Sequence, residues 1–317
     1  MVRTLLTVAL CGTLAAAPQD PGVPSSPPAP AFSASTQLVV LHVNVQDRRG
    51  GFVSDLPAEA FAVLEEGRPQ RVSLFLREDG PATVGLVIDN SASMFAQREL
   101  VIEAAAAFAK AARPDDQLFA IAFNEHVRPV LDRSAPFTDD PVLFESALSK
   151  AIFARGRTAF FDAVIMGLDY LKLGAHQRKV LIIIGDGGDN ESTHTFDEVL
   201  REAQASNVLL YTVALVDPVD RTANPKRLEE LARATGGQRL TPASRRGVYD
   251  VLQRIAEDIR HTYTLGYDPD RPADGSFRSV SVRVTAPRDV RPIVRTRAGY
   301  LASRPAPTEG APRDDLR

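Results

Sequence analysis

The 317-residue sequence predicts an α/β fold: a doubly wound, mainly parallel sheet with helices on both faces, plus a small antiparallel β domain built from the N- and C-terminal flanks. Three observations predict it. The runs 84–88 and 180–184 are wholly apolar and too short to cross a membrane, which suits strands buried on both faces of a parallel sheet. Between about residues 82 and 260, strand-like runs alternate with helical patterns, the rhythm of βαβ units. On either side of that region the pattern changes to the period-two alternation of half-buried strands.

Along the chain, Arg3, the apolar stretch 5–14 and the small residues Ala15, Ala16 and Ala17 read as a signal peptide over 1–17. Cys11 lies within it, so the mature protein is expected to be exported, without cysteine and free of disulfides, in the periplasm, at the cell surface or secreted. Residues 18–35 are rich in Pro, Ser and Ala and read as an extended linker. In 38–47, Val39, Leu41, Val43 and Val45 alternate with Val40, His42, Asn44 and Gln46, a strand with one face buried. Asp47 to Gly51 has turn chemistry, and Glu66-Gly67 is a second turn signal between runs 61–64 and 72–76. The N-terminal β segment, 36–80, is too small to bury a core by itself.

The α/β domain is expected over 82–260. Helical patterns cover 99–112, 142–151, 159–173, 196–205, 226–234 and 248–260; strands cover 84–89, 118–123, 180–184 and 208–216, with 127–131 hairpinning back. From 261 to 301 the pattern is again β, with Val280, Val282 and Val284 alternating with Ser279, Ser281 and Arg283. This segment is expected to pair with 36–80, and the polar tail 302–317 to lack structure. Formal charge is −3, from 37 Lys and Arg against 40 Asp and Glu, so there is no polybasic footprint and nucleic acid is not an expected partner. No stretch outside the leader reaches the roughly 18 apolar residues of a membrane span.

The chemistry concentrates where the first buried strand ends. Asp89 is followed by Ser91 and Ser93. One carboxylate and two hydroxyls form an oxygen-only donor set, which hard cations such as Mg2+ prefer. The competing reading is a helix entry, with Asp or Ser as N-cap. Asp186 closes the second buried strand, and parallel strands would bring it to the same sheet edge as Asp89. Thr158 enters a helix from that edge. Open α/β sheets bind ligands there. Asp162 reads as a charge favouring its helix dipole, or as a stiffener of the Thr158 loop; Asp189, Asn190 and Glu191 read as a solvated turn, with a ligand role as the alternative; Asp115-Asp116 reads as a helix stop or the turn into the next strand. His126, His194 and His261 share no catalytic spacing, and Gly185-Asp186-Gly187-Gly188 lacks the lysine of a phosphate-binding loop.

The set Asp89-x-Ser91-x-Ser93, Thr158 and Asp186-Gly187 resembles the metal-ion-dependent adhesion site of von Willebrand factor type A domains, over roughly residues 82–260. The flanking stretch 61–67 and Gly299-Tyr300 look like those of bacterial exported proteins related to that family. The resemblance implies that Ser91 and Ser93 hold a cation directly, that Thr158 is a ligand in one state, and that Asp89 and Asp186 supply charge and order water. Mg2+ is the implied cation, with Mn2+ or Ca2+ as alternatives. Gly185 departs from the pattern, because many family members carry Ser or Thr there. Two carboxylates leave a dication electrophilic, so a partner protein's Asp or Glu can complete its shell. The sequence is therefore expected to encode an exported adhesion or assembly module, not an enzyme. The alternatives are a metal-independent scaffold with a vestigial site and, with less support, a metal-assisted hydrolase that lacks a general base.

Overall fold

A computed structural model of the chain describes residues 38–77, 80–216, 221–244, 247–287 and 291–302. The chain divides after Ser35, and all described residues belong to the unit Thr36–Arg317. The signal peptide, the linker and, beyond Ala302, the tail expected from the sequence lie outside the described residues.

In chain order the elements are β1 (Val39–Gln46), β2 (Phe61–Glu65), β3 (Arg68–Gln70), β4 (Val72–Leu76), β5 (Ala82–Asp89), α1 (Arg98–Ala111), β6 (Gln117–Phe123), β7 (Val127–Pro129), α2 (Pro141–Ala151), α3 (Phe160–Leu173), β8 (Arg178–Gly185), α4 (Phe196–Ala205), β9 (Val208–Ala214), α5 (Pro225–Thr235), β10 (Arg239–Leu240), α6 (Gly247–Arg260), β11 (Thr262–Tyr267), β12 (Phe277–Val284), β13 (Ile293–Arg295) and β14 (Gly299–Leu301). The architecture is the one the sequence predicts. A central sheet of order β10-β9-β8-β5-β6-β7 is parallel except for the β6–β7 hairpin. Every residue of β5 and β9 is buried, as their unbroken apolar runs require. Side chains of α1, α2 and α6 pack on one face of this sheet, and those of α3, α4 and α5 on the other. Among the described residues no helix is long and apolar enough to cross a membrane.

The flanks form two antiparallel sheets, of order β13-β1-β11-β4 and β14-β12-β2-β3. Each mixes strands from both chain ends: β1 pairs with β11 and β2 with β12. Shared burial explains the mixing. Leu41, Val43 and Val45 form one core with Tyr263, Leu265, Val63 and Val280, drawn from segments that cannot cover their own apolar faces. Two details differ from the sequence reading. The Glu66-Gly67 turn forms, with φ of 49° and 79°, but it leads into β3, while β4 crosses to the opposite sheet beside β11. Pro69 in β3 lacks an N–H to donate, which fits an edge strand. The strand β1 is buried on both faces. Its polar side is not solvated but packs on the α/β domain, where His42 meets the Asn207 carbonyl (2.9 Å) and Asn44 donates to Asp258 (3.0 Å).

Asp258, on α6, is the centre of that junction. Its buried carboxylate accepts from Asn44, Gln46 (3.4 Å), the Tyr211 hydroxyl (2.7 Å) and Arg295, so one side chain ties α6, β9, β1 and β13 together. Burial, then the neighbouring carboxylate, pushes the Tyr211 hydroxyl well above its ordinary pKa, so it stays a donor. Arg178 does similar work where the chain passes between the flanking sheets and the central one. Its guanidinium donates to the carbonyls of Arg77, Gly80, Ile259 and Thr262 at 3.2–3.3 Å.

Candidate functional site

Register places the site. In the β5–β8 pair Ile88 stands beside Ile184, so Asp89 and Asp186 emerge at the same, carboxyl edge of the sheet. Asp89, Ser91 and Asp186 are buried and Ser93 is half-buried. Ser91 Oγ lies 3.0 Å from Ser93 Oγ, and Ser93 Oγ donates to Asp186 Oδ2 at 3.0 Å. The Ser91 N–H donates to Asp89 Oδ1 at 2.8 Å, a two-residue turn that points the chain back over the strand end. Ser91 precedes a 3-10 segment, Ala92–Gln97, without capping it, and α1 starts only at Arg98. Ser91 thus stands at the entry of that segment, but its side chain makes no capping hydrogen bond to it.

Thr158 reaches the cluster's neighbourhood through its backbone. Its N–H donates to Asn190 Oδ1 (2.9 Å), and its carbonyl accepts from the N–H groups of Asn190 (3.0 Å) and Glu191 (3.1 Å), on the loop that follows Asp186. Side-chain hydrogen bonds thus bring Ser91, Ser93 and Asp186 together directly, while backbone bonds hold Thr158 to the adjoining loop.

Several residues not singled out by motif hold this arrangement. Asn90, buried, accepts from the N–H groups of Phe153 and Ala154 at 2.6 Å each and donates to the Ala151 carbonyl (3.3 Å). That fixes the loop between α2 and Thr158, in which Ala154 adopts φ +52°. Asp189 does not end in a solvated turn. Its Oδ1 accepts from the N–H of Phe160 (2.8 Å) and Phe161 (3.2 Å), the first residues of α3, and from Ser192 Oγ (2.5 Å). Asp162 staples the next stretch by accepting from the N–H groups of Thr193 and His194 and from His194 Nδ1. Burial pushes its carboxyl up, yet these donors outweigh burial and hold it below the ordinary carboxylate range. Asp116 joins the start of β5 to the α1–β6 turn, accepting from Ala82 N–H (2.8 Å) and Arg113 N–H (2.9 Å). No short-range pattern announces the Asn90 clamp, since its side-chain partners lie 61 to 64 residues along the chain.

Two glycines fit the site closely. A Cβ on Gly185 would stand 2.8 Å from Asp89 Cβ and 3.0 Å from its Oδ2, so the two strand ends approach as they do because that side chain is missing. Gly187 has φ +78°, and a Cβ there would meet the Asn224 carbonyl at 2.5 Å.

The donor set suits a hard divalent cation. Adjacent oxygens around Mg2+ at about 2.1 Å are separated by about 3 Å, the spacing of Ser91 Oγ, Ser93 Oγ and Asp186 Oδ2. Among the described residues no group of three or more His, Cys, Asp or Glu side chains gathers to hold a metal, so a cation here would rely on hydroxyls as well as carboxylates.

The profile of the von Willebrand factor type A domain matches residues 84–254, more than half of the chain. The fold is shared with a von Willebrand factor type A protein from Catenulispora acidiphila, at 12% identity and a TM-score of 0.51, covering 84% of this chain and 75% of that one. Two further similar structures have TM-scores of 0.45. They are the vWF domain of the type V pili tip protein Mfa5 from Porphyromonas gingivalis (13% identity, 58% of this chain, 97% of that one) and an aerotolerance-related membrane protein from Bacteroides fragilis (14%, 56% and 99%). No curated protein matches in sequence. The matched span, 84–254, contains all five positions singled out in the sequence, and the chain belongs to the von Willebrand factor type A domain family.

Proposed function

We propose that the protein is an exported protein-binding module whose site, built from Asp89, Ser91, Ser93, Thr158 and Asp186, takes up a divalent cation and presents it to an acidic side chain of a partner. The observation that carries this reading is the position of Ser93 Oγ, 3.0 Å from Ser91 Oγ and 3.0 Å from Asp186 Oδ2, at the edge where β5 and β8 end. Ser91 and Ser93 would hold the cation through neutral oxygens, while Asp89 and Asp186 would balance its charge. When bound, the cation supplies a Lewis-acidic position that a carboxylate can occupy. Asn90, Asp189 and Asp162 hold the three loops so that little ordering is needed on binding. Membership of the family supports a protein-interaction role, and the leader read over 1–17 supports export.

Isothermal titration with Mg2+ and with Mn2+ tests the site. Binding that disappears in Asp89→Ala is the expected result; no heat from either cation with the wild-type protein would refute it. One observation favours a metal-independent scaffold instead: the Ser93 hydroxyl already satisfies Asp186 Oδ2 within the chain. Under that reading, partner binding survives EDTA and the substitution of Asp89.

A further inference from the structure

Two large apolar side chains stand exposed on segments that adjoin the hydroxyl–carboxylate cluster in the chain or through Asn90. Phe95, two residues after Ser93, is 74% exposed, and Phe153, next to the Ala154 loop, is 55% exposed. Single apolar residues at a surface are ordinary, but these two lie on segments bound to each other and to the site. Arg98 Nε donates to the Ile152 carbonyl (2.5 Å), Ala92 N–H to Gly156 (3.2 Å) and Arg155 N–H to Asn90 (2.8 Å). The loop that carries Phe153 is held in a costly conformation. Ile152 and Ala154 are buried, Ala154 has φ +52°, and Asn90 clamps both N–H groups, so Phe153 is left facing outward. Backbone of this kind persists only where the surroundings over-determine it, and such positions cluster at ligand clamps. A cation adds to the same rim, because the Arg155 guanidinium lies 5.8 Å from the centre of the Phe153 ring.

We propose that Phe95 and Phe153 form an apolar shoulder that selects, as partner, a protein segment whose acidic residue is flanked by large apolar side chains. This rests on the cation-completing reading above. The carboxylate would enter the oxygen cluster, with Arg155 as a complementary charge. The neighbouring apolar side chains would pack on the two rings, which give contact area at small cost in side-chain freedom.

The test is selection of a random dodecapeptide display library on the immobilised full chain in Mg2+, with elution by EDTA. Selected peptides are expected to share an Asp or Glu with Phe, Leu, Ile or Met within two positions. The double variant Phe95→Ser, Phe153→Ser, exposed and outside the cluster, should keep the acidic requirement and lose the apolar enrichment. Its affinity for a synthetic copy of the leading peptide should fall roughly tenfold or more. Acidic peptides without apolar neighbours would overturn the shoulder and leave the cation reading standing. Selection that ignores EDTA, or that fails altogether, would overturn both. Sedimentation showing a dimer that the double variant dissolves would assign the patch to a second copy of the chain and overturn the proposal.

Discussion

Replacing Asn90 by alanine removes one acceptor that serves two backbone donors, the N–H groups of Phe153 and Ala154. The bond to Ala154 is buried and the one to Phe153 partly buried, so leaving both unmade costs roughly 2–4 kcal/mol at about 1–3 kcal/mol per buried orphan. Freed of its clamp, Ala154 can leave φ +52°, which returns about 1–2 kcal/mol. The net expectation is a loss of about 0–3 kcal/mol, read as a lower urea midpoint with unchanged slope. The same loop leads to Gly156 and Thr158, so the cation binding proposed above should also weaken, by roughly tenfold, as when residues supporting metal ligands are removed. Urea unfolding followed by circular dichroism, together with Mg2+ titration, measures both. A variant within about 0.5 kcal/mol of wild type, with unaltered cation binding, would refute the claim that Asn90 organises the site.

Other substitutions probe the rest of the framework. Asp258→Ala leaves Arg295, Tyr211 and Asn44 facing a vacated acceptor and should cost about 3–5 kcal/mol in urea unfolding. A loss below about 1 kcal/mol would show that the packing of β1 on α6 does not depend on it. His42 is held neutral: burial foremost, with the Arg178 and Arg297 charges, lowers its pKa from 6.5 to about 4 against the opposing Asn207 hydrogen bond. Above pH 6.5 it therefore adds no pH dependence. As pH falls from 6.5 to 4 the unfolded chain takes up a proton that the folded one refuses, and stability declines by about 3 kcal/mol. The difference between wild type and His42→Asn, followed across that range, should contain this slope. Gly185→Ser restores the residue common in the resembling family, yet its Cβ would press on Asp89 at 2.8 Å. It should cost about 1–3 kcal/mol and weaken Mg2+ binding, whereas tighter binding would show that Asp89 has room to move.

The sequence by itself determined the α/β layer plan, because wholly apolar strands alternating with helices bury themselves in a parallel sheet covered by those helices. It also determined that Asp89 and Asp186 share an edge, since strand direction follows from the alternation of strands and helices. Side-chain neighbours across long separations were not legible. Val39–Gln46 reads as half-solvated, and only the packing of α6 and Asn207 against it turned His42 and Asn44 into buried contacts. Asp189 has the same chemistry in a solvated turn as at a helix entry, and the approach of α3's first turn decided which it is. Periodicity records which face of an element avoids water; it says nothing of which donor from another segment arrives there. That depends on how the layers stack, and so on the whole chain at once.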